Sequence, residues 1–151
     1  MIDTPVLFDD LHVGLRLTTT QTYVMTADEI VEFAARFDPQ PFHLDEQAAS
    51  ATGFGGLVAS GLHTFAASCR LGHFERPLTA TIAGLGIDEL RMLHPVRPGD
   101  RLSQTTELVE LRASRSHPDR GVVRARREVV NQDQVPVLRC TVAWLVKRGT
   151  A

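Results

Sequence analysis

Residues 37–64 read FDPQPFHLDEQAASATGFGGLVASGLHT. A carboxylate, Asp38, and an imidazole, His43, stand five residues apart here, on a segment stiffened by Pro39 and Pro41. A residue that precedes proline is pushed out of the α region, so Asp38 falls at the end of whatever helix comes before it. Asp45 is placed to cap a short helix over residues 46–52, which Gly53 closes. The run 53–56 (GFGG) reads as a turn. Ser60 then caps a third helix over residues 61–73, with Leu62, Phe65, Ala66 and Cys69 on one face and small Ala67 and Ser68 on the other. A helix this slim and apolar is expected to be wrapped on several sides.

Working outward, residues 1–13 read as an extended lead-in and residues 14–25 (GLRLTTTQTYVM) as a strand rich in Thr, Val, Leu and Tyr. Thr26 and Glu29 have the spacing of a capping box, and Ile30, Phe33, Ala34 and Phe37 follow at helical period. Beyond Pro77 the period changes to two. Strands are expected over residues 81–93, 102–111, 122–130 and 137–146, separated by turns at RPGD (97–100), SRSHPDRG (114–121) and NQDQ (131–134). The last strand alternates cleanly, Leu138, Cys140, Val142 and Trp144 against Arg139 and Thr141, so Trp144 reads as sheet packing. Strands joined by short turns pair antiparallel. The pattern predicts one α+β domain spanning residues 1–151, in which a bent five-stranded antiparallel sheet wraps a central helix.

Composition narrows the function classes. At 151 residues with 43% hydrophobic and 23% charged residues, the chain is long enough to bury a core. A net charge of -2 gives no reason to expect nucleic acid or an anionic membrane surface as partner. The acidic N-terminus lacks the basic and apolar regions of a signal peptide, and no apolar run reaches spanning length, so a cytoplasmic setting is expected. Cys69 and Cys140 are read as buried free thiols, and no Cys/His spacing matches a metal site.

Asp38 and His43 form an acid/base pair if the intervening loop brings them together, able to hold a water and pass a proton. Gln40 is placed between them to orient either group or the water. The Ser60–Gly61 helix start supplies free N–H groups and the positive end of the helix dipole, and Gly61 lets a carbonyl oxygen approach closely. A thioester carbonyl polarised there makes an adjacent double bond open to attack. Hydration of an α,β-unsaturated thioester, or the reverse dehydration, suits this set.

The run Asp38-Pro39-Gln40-Pro41-Phe42-His43, with Asp45, Ala48, Ala49, Phe54-Gly55-Gly56 and Ala59-Ser60-Gly61, resembles the MaoC-like dehydratases. Among these are the (R)-specific enoyl-CoA hydratases, or hydratase 2, with the motif D-x-N-P-x-H. The segment ending HPVRPGD and the SRSHPDRG loop are also similar, so the resemblance spans about residues 10–148. It implies a hot-dog fold and a hydro-lyase that converts a trans-2-enoyl thioester to the (R)-3-hydroxyacyl thioester. Asp38 and His43 would be the catalytic dyad, Gly61 the oxyanion N–H, and Gln40, Phe42, Phe54, Gly56 and Ser60 substrate-binding positions. Gln40 stands where hydratase 2 has Asn, and Ser60 where many members have His; both bear on the substrate more than on the reaction.

The resemblance further implies a homodimer or larger homo-oligomer and an acyl-CoA or acyl-carrier-protein thioester as the partner molecule. No metal or redox cofactor is called for by proton transfer and water addition. Arg91, Arg97, Arg101, Arg112, Arg115 and Arg120 are candidates for CoA phosphates, and His63 is read as a core or interface histidine. Two alternatives stand beside the lyase. A hot-dog thioesterase would carry an acid on or near the central helix, where residues 61–74 have none. A non-catalytic acyl-CoA-binding protein would keep the site as a relic.

Overall fold

A computed structural model describes residues 4–149; residues 1–3 and 150–151 of the expected lead-in and domain limits lie outside them. The lead-in is tied down rather than simply extended. Val6 bridges to Thr79, and residues Phe8–Asp10 form one 3-10 turn.

Four long strands build most of the sheet: β4 (Thr81–Met92), β5 (Arg101–Ala113), β6 (Arg120–Val130) and β7 (Pro136–Lys147). With β1 (Arg16–Thr19) and β3 (Glu75–Arg76) they run in the order β3-β1-β5-β6-β7-β4, while β2 (Tyr23–Val24) also pairs with β5. Every strand pairing is antiparallel. The sheet therefore has seven strands where five were expected, and the cause is local. The expected strand over residues 14–25 breaks at Thr20, whose N–H and Oγ both bond to Phe74 O at 2.9 and 3.0 Å. Between Thr18↔Thr105 and Tyr23↔Leu102, the β1–β2 side has two more residues than β5. The surplus bulges out, and β3 pairs with β1 beside it.

The helices follow their caps. Helix α1 (Ala27–Phe37) begins with the full Thr26/Glu29 capping box, and Asp38 is its C-cap. Helix α2 (Pro41–Leu44) is one turn that the sequence reading treated as loop; Pro41 at its first position has the φ a helix start needs. Helix α3 (Glu46–Ser50) is capped by Asp45, which accepts from Ala48 N at 2.7 Å, and it ends two residues before the expected Thr52.

Helix α4 (Gly61–Gly72) is the central helix, and it sits the other way round from its apolar pattern. Its buried residues are His63, Thr64, Ala67, Ser68 and Leu71. Leu62, Ala66 and Cys69 are exposed and Phe65 is half-buried, so the expected buried thiol at Cys69 is corrected while Cys140 is buried. Two of the buried polar residues are satisfied locally: Ser68 Oγ donates to Gln104 Oε1 on β5, and Thr64 Oγ1 reaches Ser60 O at 3.4 Å. The core lies between this side of α4 and the inward positions of the long strands, among them Leu102, Leu108, Val123, Ala125, Leu138 and Val142. No described helix is long and apolar enough to cross a membrane.

Candidate active site

Asp38 and His43 come together because α1 ends and α2 begins within three residues. Gln40 N bonds back to Asp38 O at 2.7 Å and His43 N to Gln40 O at 2.9 Å, a tight double turn. It sets His43 Nε2 3.5 Å from Asp38 Oδ2. His43 is buried, and its Nδ1 lies 2.7 Å from Val58 O. A carbonyl oxygen only accepts, so Nδ1 carries the proton, and in the neutral ring Nε2 is the bare nitrogen facing Asp38. Two acceptors facing each other across that gap require a donor between them, either a proton or a water's O–H groups.

Ser60 links this pair to α4. Its hydroxyl donates to Asp38 Oδ2 at 2.6 Å and accepts from Leu62 N at 3.2 Å. The capping residue thus also orients the carboxylate. The Gly61 N–H, first in the helix, has no intrahelical partner and points out of the positive helix end. A Cβ at Gly61 would meet Met92 Cε and Cγ at 2.6 Å, so Met92 roofs the helix start and a side chain there would have to displace it.

A cleft of about 390 Å³ is lined by His43, Gly61, Thr64, Phe42, Phe54 and Met92 among others, while Asp38 is half-buried behind His43 and outside the lining. Phe42 stands edge-on to the His43 ring at 4.5 Å and meets Phe54 at 5.2 Å, forming an apolar wall. Of the expected substrate-binding positions, Phe42 and Phe54 line the cleft directly. Ser60 is buried behind Asp38, and Gly56 is buried against Glu46 and Arg97, where a Cβ would meet Glu46 Oε1 at 3.0 Å. Gln40 is exposed and outside the lining.

Sequence reasoning missed Val58, Met92 and His94. Val58 acts through a backbone carbonyl, which no side-chain pattern reveals. His94 lines the cleft with Nδ1 2.7 Å from Pro136 O, leaving its Nε2 for a ligand; the adjacent HPVRPGD run was the available signal. Among the described residues no cluster of three His, Cys, Asp or Glu is arranged to hold a metal.

His63 is buried but away from the cleft, stacked on Phe33 at 4.6 Å, and its Nδ1 has no hydrogen-bond partner among the described residues. Burial holds its pKa below the ordinary 6.5, partly offset by Glu29. A base depressed in the fold takes its proton more readily when unfolded. Its stability contribution is therefore complete above pH ~6.5 and is lost as pH falls through the lower folded value. Urea midpoints at pH ~7.5 and ~5.5 are expected to fall further for wild type than for His63→Phe; equal falls would show that His63 is not the group responsible.

The model for the MaoC-like domain family matches residues 11–132. This chain belongs to the MaoC-like dehydratase family. Its fold is that of the MaoC-like dehydratase from Rhodospirillum rubrum, with 41% identity, TM-score 0.88, and coverage of 97% of this chain and 99% of the other. The R-hydratase PhaJ1 from Pseudomonas aeruginosa is 27% identical with TM-score 0.76, covering 96% and 88%. An uncharacterized protein of Bacillus subtilis, YdeM, is 31% identical over 144 residues, 93% of this chain and 98% of its own length. Family membership makes the protein one of the hydratase and dehydratase kind and establishes the hot-dog architecture.

Proposed function

We propose that the protein is a hydro-lyase that adds water across C2=C3 of a trans-2-enoyl thioester to give the (R)-3-hydroxyacyl thioester, or runs the reverse. The observation that carries this is His43, whose bare Nε2 stands 3.5 Å from Asp38 Oδ2, lining one cleft together with the Gly61 helix start. A water donating to both acceptors is aimed by them. As its oxygen bonds to C3, His43 Nε2 takes one of its protons. The resulting imidazolium lies between the Asp38 carboxylate and the Val58 carbonyl. The electron pair of C2=C3 moves onto the thioester oxygen, which the Gly61 N–H and the helix dipole stabilise. C2 then takes a proton from the dyad, returning both groups to their starting state. The steps draw on these side chains, water and backbone alone.

Loss of enoyl absorbance on trans-2-enoyl-CoAs of increasing length, with chiral analysis of the product, tests the reading. Turnover to the (R)-alcohol is expected. Hydrolysis to free thiol would instead identify a thioesterase, and binding without turnover a carrier. Arg97 touches the cleft wall, its guanidinium donating to Phe54 O at 2.6 Å, whereas Arg120 is paired with Asp119.

Ser60→Ala removes the helix cap and the donor to Asp38 together. About 0.5–2 kcal/mol of stability is expected to go with the cap, and kcat to fall about tenfold as the carboxylate is released. Unchanged kcat would mean that Ser60 does not position Asp38.

A homodimer is part of this reading. β4 ends the sheet with an unpaired edge and exposes Ile82, Leu85, Ile87 and Met92, while α4 exposes Leu62 beside it. An apolar strand edge of this length is covered in stable proteins. Wild type is expected to run in light scattering at about twice its 16.6 kDa chain mass or more, and Leu85→Glu to shift it toward monomer. A monomeric wild type would overturn the pairing.

A further inference from the structure

Met92, the last residue of β4, is aimed at the start of α4 by a β-bulge. Asp88 pairs with Thr141 and Arg91 with Arg139, so between these pairs β4 holds one residue more than β7. Cross-strand partners share a face of the sheet. Asp88 faces outward, where it meets Arg124 on β6 at 3.2 Å, and strict alternation would turn Met92 outward with it. The extra residue shifts the phase by one, and Met92 instead pairs with Leu138, which is fully buried in the core. Glu89 sits in the bulge at φ 51°, in the left-handed region that a side chain adopts only at a cost. That strained residue stands where the strand must turn Met92 inward over Gly61.

The thioether is curled over Gly61 rather than merely touching it. Cγ and Cε both lie 2.6 Å, and Sδ 3.2 Å, from the point a Gly61 Cβ would occupy. An oxygen accepting from the Gly61 N–H stands about 2.9 Å from that nitrogen, and C2 of an acyl group is two bonds beyond that oxygen. Met92 therefore flanks the carbonyl and C2 of a thioester held there, in the cleft that His43 also lines. We propose that Met92 is a specificity-determining residue of this cleft, restricting it to enoyl thioesters with no substituent on C2. This rests on the hydro-lyase reading above, which sets the carbonyl on Gly61. A hydrogen on C2 leaves the thioether where it is, whereas a methyl needs the same space. Methionine is flexible, so the restriction is that of one methyl group in an apolar pocket, about 10–200-fold, and not an absolute exclusion.

Hydration of trans-2-butenoyl-CoA and trans-2-methyl-2-butenoyl-CoA by the full chain tests this. The two thioesters differ in intrinsic reactivity, so the readout is the change in their kcat/KM ratio between wild type and folded variants. Met92→Ala is expected to shift the ratio toward the 2-methyl substrate by about tenfold or more, and Met92→Leu, close in volume, to hold it within a few-fold of wild type. A thioester branched at C4, beyond the double bond, is expected to gain nothing in Met92→Ala. Ile82→Ala, on the β4 edge but outside the cleft lining, is expected to leave the ratio as in wild type. An unchanged ratio in Met92→Ala or an equal gain for the C4-branched substrate would overturn the proposal. So would an equal gain in Ile82→Ala, which would assign the effect to the strand edge.

Failure of the lyase reading shows separately. If neither wild type nor any variant turns over these thioesters, that reading falls, and calorimetric Kd values for butanoyl-CoA and 2-methylbutanoyl-CoA decide the role of Met92. A gain of about tenfold for the 2-methyl compound over the unbranched one in Met92→Ala would uphold the restriction as one on binding alone. An unchanged ratio, or no binding of either compound, would overturn it as well.

Discussion

Asp38→Asn is expected to lower kcat for enoyl-thioester hydration by at least ~10²-fold with KM nearly unchanged. The substitution keeps the shape and an oxygen to accept from Ser60 Oγ, which bonds Asp38 Oδ2 at 2.6 Å. That same Oδ2 faces His43 Nε2 at 3.5 Å, so the amide oxygen presents there a weaker, uncharged acceptor for the water. The negative charge that stabilises the imidazolium is lost as well. Because the pair touches the reacting water and not the carrier, binding should survive. Steady-state kinetics beside a thermal melt give the result; more than a tenth of wild-type kcat in a folded variant would remove Asp38 from the chemistry.

The largest expected loss of stability comes from Leu71→Ala. Leu71 is fully buried on the sheet side of α4, within the main core cluster. Truncation removes apolar contacts and leaves a cavity that the surrounding strands fill only partly, at a cost of about 2–5 kcal/mol. Val13→Ala, at a position 60% exposed, is expected to stay within about 0.5 kcal/mol. Urea denaturation of both variants checks the contrast, and similar losses would mean that α4 is not the anchor of the core.

Legibility in the sequence followed the range of the forces involved. The capping box at Thr26–Glu29, the Asp45 and Ser60 caps and the alternation of β7 are local, and each was readable. The seating of α4 was not. Its apolar stripe, Leu62, Phe65, Ala66 and Cys69, lies outward, while the buried side holds His63, stacked on Phe33, with Thr64 and Ser68, whose hydrogen bonds come from the helix itself and β5. Leu62, Ala66 and Cys69 of that stripe are exposed and Phe65 is half-buried, a place where a hydrophobic pattern signals another chain as readily as a core.

The candidate site shows the same division. Asp38, His43, Ser60 and Gly61 were found from spacing and resemblance, but α2, which brings the pair together, is a single turn after Pro-x-Pro and too short to carry a period. Met92 over Gly61 and Val58 O on His43 depend on where the chain returns.

The central claim is that Asp38 and His43 act on one water as a unit. The most direct test is the hydration rate of the Asp38→Asn/His43→Ala double variant beside the wild type and both single variants. If the pair works as one device, the double variant falls no further than the worse single variant, within a few-fold. Losses that multiply, each residue costing its full factor in the absence of the other, would contradict it.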